Sequence, residues 1–159
     1  MTTNLRNRIA SGFTIIEVMI VLAIAGLIML IVFLAVPALQ RNAHNTSIKN
    51  DVSSILGAIN EYENNNNGNL PSAAAVSGGT LTIGSSCTTA GSNCATGHVG
   101  YVTTVNNPTA TISTTAPAIG VVNLYSSATC SGNTPVSGPA RSIVAYYQLE
   151  GGAVQCTGA

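Results

Sequence analysis

The sequence predicts an α+β protein: a long N-terminal helix, transmembrane then amphipathic, packed on a small antiparallel β-sheet head. Three observations carry that prediction. Val18 to Leu39 holds 22 residues without a charged side chain, which as a helix at about 1.5 Å per residue reach roughly 33 Å, against a bilayer core of about 30 Å. Beyond it, Ile48, Val52, Ile55, Leu56, Ile59 and Tyr62 recur at the spacing of one helical stripe. From Thr80 onward, short β-prone segments alternate with Gly, Ser, Pro and Asn. The expected organisation is a leader over 1–12, an apolar helix over 13–39, an amphipathic helix over 40–64 and a disulfide-stapled, β-rich head over 65–159.

Residues 1–12 carry Arg6 and Arg8 and no acid. With the amino group they form a positive end that the positive-inside rule keeps in the cytoplasm. The apolar run is too long for an ordinary secretory signal, no small-x-small site follows it, and Glu17 interrupts the passage from arginines to apolar core. An ionisable residue at the mouth of such a segment is a functional candidate, because it must stay near the interface or find a partner. Inside the run, Gly26 permits close approach of helices. Pro37 removes a helix hydrogen bond and predicts a kink.

In the amphipathic continuation Lys49, Asp51, Asn60, Glu61 and Glu63 are read as lying off the apolar stripe. The helix is expected from Phe13 to about Asn64, where Asn64 to Gly68 and then Leu70-Pro71 stop it. The polar face is too poor in Lys and Arg for a membrane-surface helix, so the stripe should lie against the head. Asn45-Thr46-Ser47 matches a glycosylation sequon, but inside a helix it is not expected to be used.

Strands are expected at Thr80 to Ile83, Val99 to Val105, Gly120 to Tyr125, Ser142 to Leu149 and Ala153 to Cys156, the last two joined by a Glu150-Gly151-Gly152 turn. Alternation places Tyr146 and Tyr147 on opposite faces of their strand. All four cysteines, Cys87, Cys94, Cys130 and Cys156, follow the apolar run. That fits disulfides formed in an oxidising exterior, with three connectivities open.

Charged residues are 6% of the chain and the formal net charge is zero, so no long-range field recommends a nucleic-acid partner. Between Asn65 and Ala159 the only formal charges are Arg141 and Glu150, and one cation does not make a phosphate-binding surface. His98 is the only histidine of the head and no Asp follows Asp51. A nucleophile with a base and an orienting acid cannot be assembled from this inventory, so no enzyme and no cofactor are expected. Zinc held by Cys87, Cys94 and His98 has an unusual spacing, and a disulfide is preferred.

Gly12 followed by Phe13-Thr14-Ile15-Ile16-Glu17-Val18-Met19-Ile20-Val21 resembles the class III signal of type IV pilins and type II secretion pseudopilins, over about residues 6 to 36. The resemblance implies the structural subunit of a type IV pilus-like extracellular filament. The precursor would span the cell membrane once with its N-terminus in the cytoplasm. A prepilin peptidase would cut between Gly12 and Phe13 and methylate the new amine of Phe13, which would meet Glu17 of a neighbouring subunit. Further implied partners are copies of this chain or related pilins and an assembly platform with its ATPase. Pro37 falls slightly later than the proline usual in the family, while Gly26 matches a common glycine. Cys130 with Cys156 is favoured because pilins often carry a disulfide near the C-terminus, leaving Cys87 with Cys94 to close a short Thr/Gly/Ser loop. Two alternatives accompany this reading: a minor pilin or a secretion or competence pseudopilin, and a membrane-anchored exported binding domain that never polymerises.

Overall fold

The structure, a computed structural model, describes residues 12–84 and 94–159. Helix α1 runs Ile15–Asn65. It starts two residues later than the periodicity suggests because Thr14 caps it from outside. At its other end Gly68 donates its N–H to the carbonyl of Glu63 at 2.7 Å. Asn67 and Gly68 both have positive φ, 58° and 75°, closing the last turn in the left-handed manner usual at helix ends. Pro37 lies within α1 without ending it.

The chain divides into two compact units, Met1–Leu39 and Gln40–Ala159. In the first, every described side chain is exposed, Phe33 at 77% and Leu34 at 74%. By length and composition α1 can cross a membrane.

In the second unit the expected stripe is the floor of the core. Ile48, Val52, Ile55, Leu56, Ile59 and Tyr62 are all buried, with Ala58 beside them. Among the described residues nine strands follow: β1 Ala74–Ser77, β2 Thr80–Ile83, β3 Ala95–His98, β4 Thr104–Thr109, β5 Val121–Ser126, β6 Ala128–Ser131, β7 Thr134–Ser137, β8 Ile143–Gln148 and β9 Val154–Gly158. They form a three-stranded sheet β1-β2-β3, a four-stranded sheet β4-β5-β8-β9 and a two-stranded β6-β7 ribbon. All pairings are antiparallel except β4 with β5, which run parallel. The four-stranded sheet is therefore mixed at its β4 edge, because residues 110–120 cross over and do not turn back, while the other pairings are antiparallel as expected.

Strand β8 is the centre of the head. Ile143, Ala145 and Tyr147 face the core that includes the helix stripe, whereas Val144 and Tyr146 face a second core with Tyr125 and Ala128. The two adjacent tyrosines thus serve opposite faces, as strand alternation requires. On the second face Tyr125 and Tyr146 donate their hydroxyls to the carbonyls of Ser113 and Thr114, tying the crossover loop down. Cys130 of β6 is disulfide-bonded to Cys156 of β9, Cα–Cα 5.7 Å, at the rim of this core. Cys87 lies outside the described residues, and with it the expected Cys87–Cys94 pair.

One expected strand is corrected. Val99 to Thr103 is not a strand; β3 ends at His98 and β4 begins only at Thr104. The backbone N–H groups of Gly100, Tyr101 and Val102 all donate to the carboxylate of Asp51, at 3.0, 2.7 and 2.8 Å. A side chain has taken the donors a neighbouring strand would need. Asp51 is accordingly buried, 7% exposed, and does not lie off the stripe.

Candidate processing and assembly site

Gly12, Phe13 and Thr14 precede α1 in non-helical backbone, and Phe13 is 88% exposed. Thr14 and Glu17 form a reciprocal cap. Glu17 Oε2 accepts the Thr14 N–H and the Thr14 hydroxyl, each at 2.9 Å, and the Glu17 N–H points back at Thr14 Oγ1 at 3.4 Å. This is the capping box written as Thr14-x-x-Glu17, which satisfies donors that the first turn cannot satisfy internally. Beside it Phe13, Val18, Ile20, Val21 and Leu22 line an open apolar groove. The sequence reading singled out Glu17 and missed Thr14, although the Thr-x-x-Glu spacing was there to be read.

A Cβ built on Gly12 or Gly26 meets nothing within 4 Å among the described residues.

A second polar cluster ties the head to the start of its own helical segment. Glu150 Oε1 accepts from His44 Nδ1 at 2.6 Å and from the Tyr101 hydroxyl at 2.8 Å. Glu150 N–H donates to Asn45 Oδ1 at 2.7 Å, and Asn45 Nδ2 reaches back to the Glu150 carbonyl at 3.5 Å. The His44 ring lies against that of Tyr101, centroids 5.0 Å apart. The hydrogen bonds from His44 and then Tyr101 hold the Glu150 carboxyl below its ordinary range, and the Glu150 bond raises Tyr101. Inside α1 the Asn45 amide is thus engaged by the Glu150 backbone.

The expected site residues that are described fall in three places: Gly12, Phe13 and Glu17 at the helix start, Pro37 within α1, and Cys94 and the bonded Cys130 and Cys156 in the head. The first group is where the chain matches a known family, for residues 7–33 match the prokaryotic N-terminal methylation motif. This is the signal of type IV pilins and pseudopilins. The pilin-type signal overlaps the exposed apolar half of α1, and a helix followed by small sheets is the pilin-like layout. Comparison with curated proteins and with solved structures gives no match.

Proposed function

We propose that the chain is the precursor of a subunit of a type IV pilus-like filament. A prepilin peptidase cuts it between Gly12 and Phe13 and methylates the Phe13 amine. The cut leaves a cation four residues before Glu17, and that cation pairs with Glu17 of a neighbouring copy while the exposed apolar helices exchange lipid for one another. The observation that carries this reading is the methylation motif over residues 7–33, set on a helix whose apolar half is exposed among the described residues. The open space around Gly12 supports it too: glycine there suits the close approach of an extended backbone to a peptidase cleft. The precursor is anchored in the membrane by α1, and the head faces outward in the filament.

Mass spectrometry of the N-terminus, on membranes and on sheared surface material, tests the proposal. Wild-type protein is expected to begin at a methylated Phe13. Gly12→Leu should retain the leader, and Glu17→Leu should be cut but left out of filaments. Normal processing of the first with normal incorporation of the second overturns the reading in favour of a non-polymerising anchored domain.

A further inference from the structure

Helix α1 ends through Asn64-Asn65-Asn66-Asn67-Gly68, and in the last pair an asparagine side chain stands next to a backbone nitrogen that no Cβ shields. Asn67 is exposed. It takes the left-handed position that closes the helix, with φ 58° followed by 75° at Gly68. The Gly68 N–H donates to the carbonyl of Glu63 at 2.7 Å, and the Asn69 N–H to that of Asn66 at 3.1 Å. A side chain braces the same turn, for Asn66 Nδ2 donates to the Tyr62 carbonyl at 2.8 Å.

We propose that Asn67 is a site of self-modification, at which the Gly68 nitrogen displaces the Asn67 side-chain amide when the helix cap opens. An amide nitrogen attacks a carboxamide only after giving up its proton, and here that proton is the one held by the Glu63 carbonyl. The closed cap therefore protects the pair. Helix ends open at far lower cost than the core does, and each opening releases the nitrogen. The Gly68 nitrogen then bonds to Asn67 Cγ, the Cγ–Nδ2 bond breaks, and the displaced amide leaves as ammonia with the proton that Gly68 gave up. Water adds to either carbonyl of the succinimide and opens it to aspartate or isoaspartate. Each conversion adds a carboxylate to a stretch, Asn65 to Ala159, whose only formal charges are Arg141 and Glu150. Arg141 Nη1 lies 3.2 Å from the place a Cβ on Gly68 would take, so the new charge arises beside a cation.

Peptide mapping by mass spectrometry tests the proposal on the full-length chain, disulfides intact, aged at mildly alkaline pH in detergent micelles and in the same buffer with unfolding urea. Fragment spectra assign the gain in mass of an amide turned to an acid to one asparagine of the run. Conversion is expected first at Asn67 in both samples, about tenfold or more slower in the folded chain. Asn66→Ala, which removes the brace to Tyr62, should speed conversion in the folded chain about threefold or more. In urea, where no cap exists, the same variant should stay within about twofold of wild type. Equal rates in the folded and unfolded chains overturn the proposal. So does an Asn66→Ala chain that converts no faster than wild type when folded, or conversion that begins at another asparagine.

Discussion

Asp51 Oδ2 accepts the backbone N–H of Tyr101 at 2.7 Å, joining the middle of α1 to a loop 50 residues later in the chain. The same carboxylate takes the N–H groups on either side. Because these donors have turned away from any strand, removing the acceptor leaves the Val102 N–H short of a partner in a buried place and those of Gly100 and Tyr101 in part-buried ones. Each unsatisfied donor costs about 1–3 kcal/mol. Asp51→Ala should therefore lower the stability of the head by roughly 3 kcal/mol or more, and Asp51→Asn, which keeps one acceptor oxygen, by about 1–3 kcal/mol. Urea unfolding of the full chain in micelles, followed by tyrosine circular dichroism, checks the order.

Glu150 and Glu63 should respond to pH in opposite senses. Bonds from His44 and Tyr101 depress Glu150, so its contribution is present above the unfolded carboxyl value, about 4.3. That contribution is lost as pH falls through the lower folded value. Burial raises Glu63, so ionising it opposes folding, and the penalty is relieved as pH falls through its raised value. Glu150→Gln should flatten the acid limb of a stability-against-pH curve. Glu63→Gln should raise stability near neutrality and leave the acid limb to Glu150. A steeper acid limb in Glu150→Gln contradicts the assignment.

Much of the fold was legible because burial writes a period into the chain. The stripe from Ile48 to Tyr62 and the split between Tyr146 and Tyr147 follow from spacing alone. Strands β1, β3, β6 and β7 were not legible: Ala74–Ser77, Ala95–His98, Ala128–Ser131 and Thr134–Ser137 are four residues each, built largely from Ala, Ser, Thr and Gly, and the last contains Pro135. Their strand character comes from their neighbours more than from their own propensity. Asp51 was misplaced for a related reason. Its charge argues for solvent, and only a loop far along the sequence reveals three donors waiting for it. At the helix start the cap was visible as Thr14-x-x-Glu17, yet the cost of a carboxylate beside an apolar run drew attention to one partner of the pair.

The second core should depend on its two tyrosine hydroxyls unequally with its rings. Tyr146 is 1% exposed and donates to the Thr114 carbonyl at 3.1 Å. Tyr146→Phe keeps the ring and loses one hydrogen bond, an expected cost of about 0.5–1.5 kcal/mol. Tyr146→Ala also empties the core on that face, at about 3–5 kcal/mol. Comparable losses for the two variants would show that the bond to the crossover loop, and not packing, holds this layer together.

The Cys130–Cys156 bond and Gly138 act on the same ribbon by different physics. The two cysteines are 26 residues apart, and a closed loop of that length is worth about 3.5 kcal/mol through the unfolded chain. Gly138 acts in the folded state. A Cβ there would lie 2.8 Å from the carbonyl carbon of Ala128 and from the N of Thr129, and both are backbone atoms that cannot swing aside. The Gly138 N–H also donates to Ser127 at 2.8 Å, so the segment cannot retreat without losing that bond. Gly138→Ala should cost about 1–3 kcal/mol, as overpacking does. In the unfolded chain the substitution can only narrow conformational freedom. Measured in oxidised and in reduced protein, the Gly138→Ala penalty should persist in both, provided reduction leaves the ribbon folded by near-ultraviolet circular dichroism. A penalty that disappears on reduction would mean that the disulfide, and not close contact with β6, presses this backbone together.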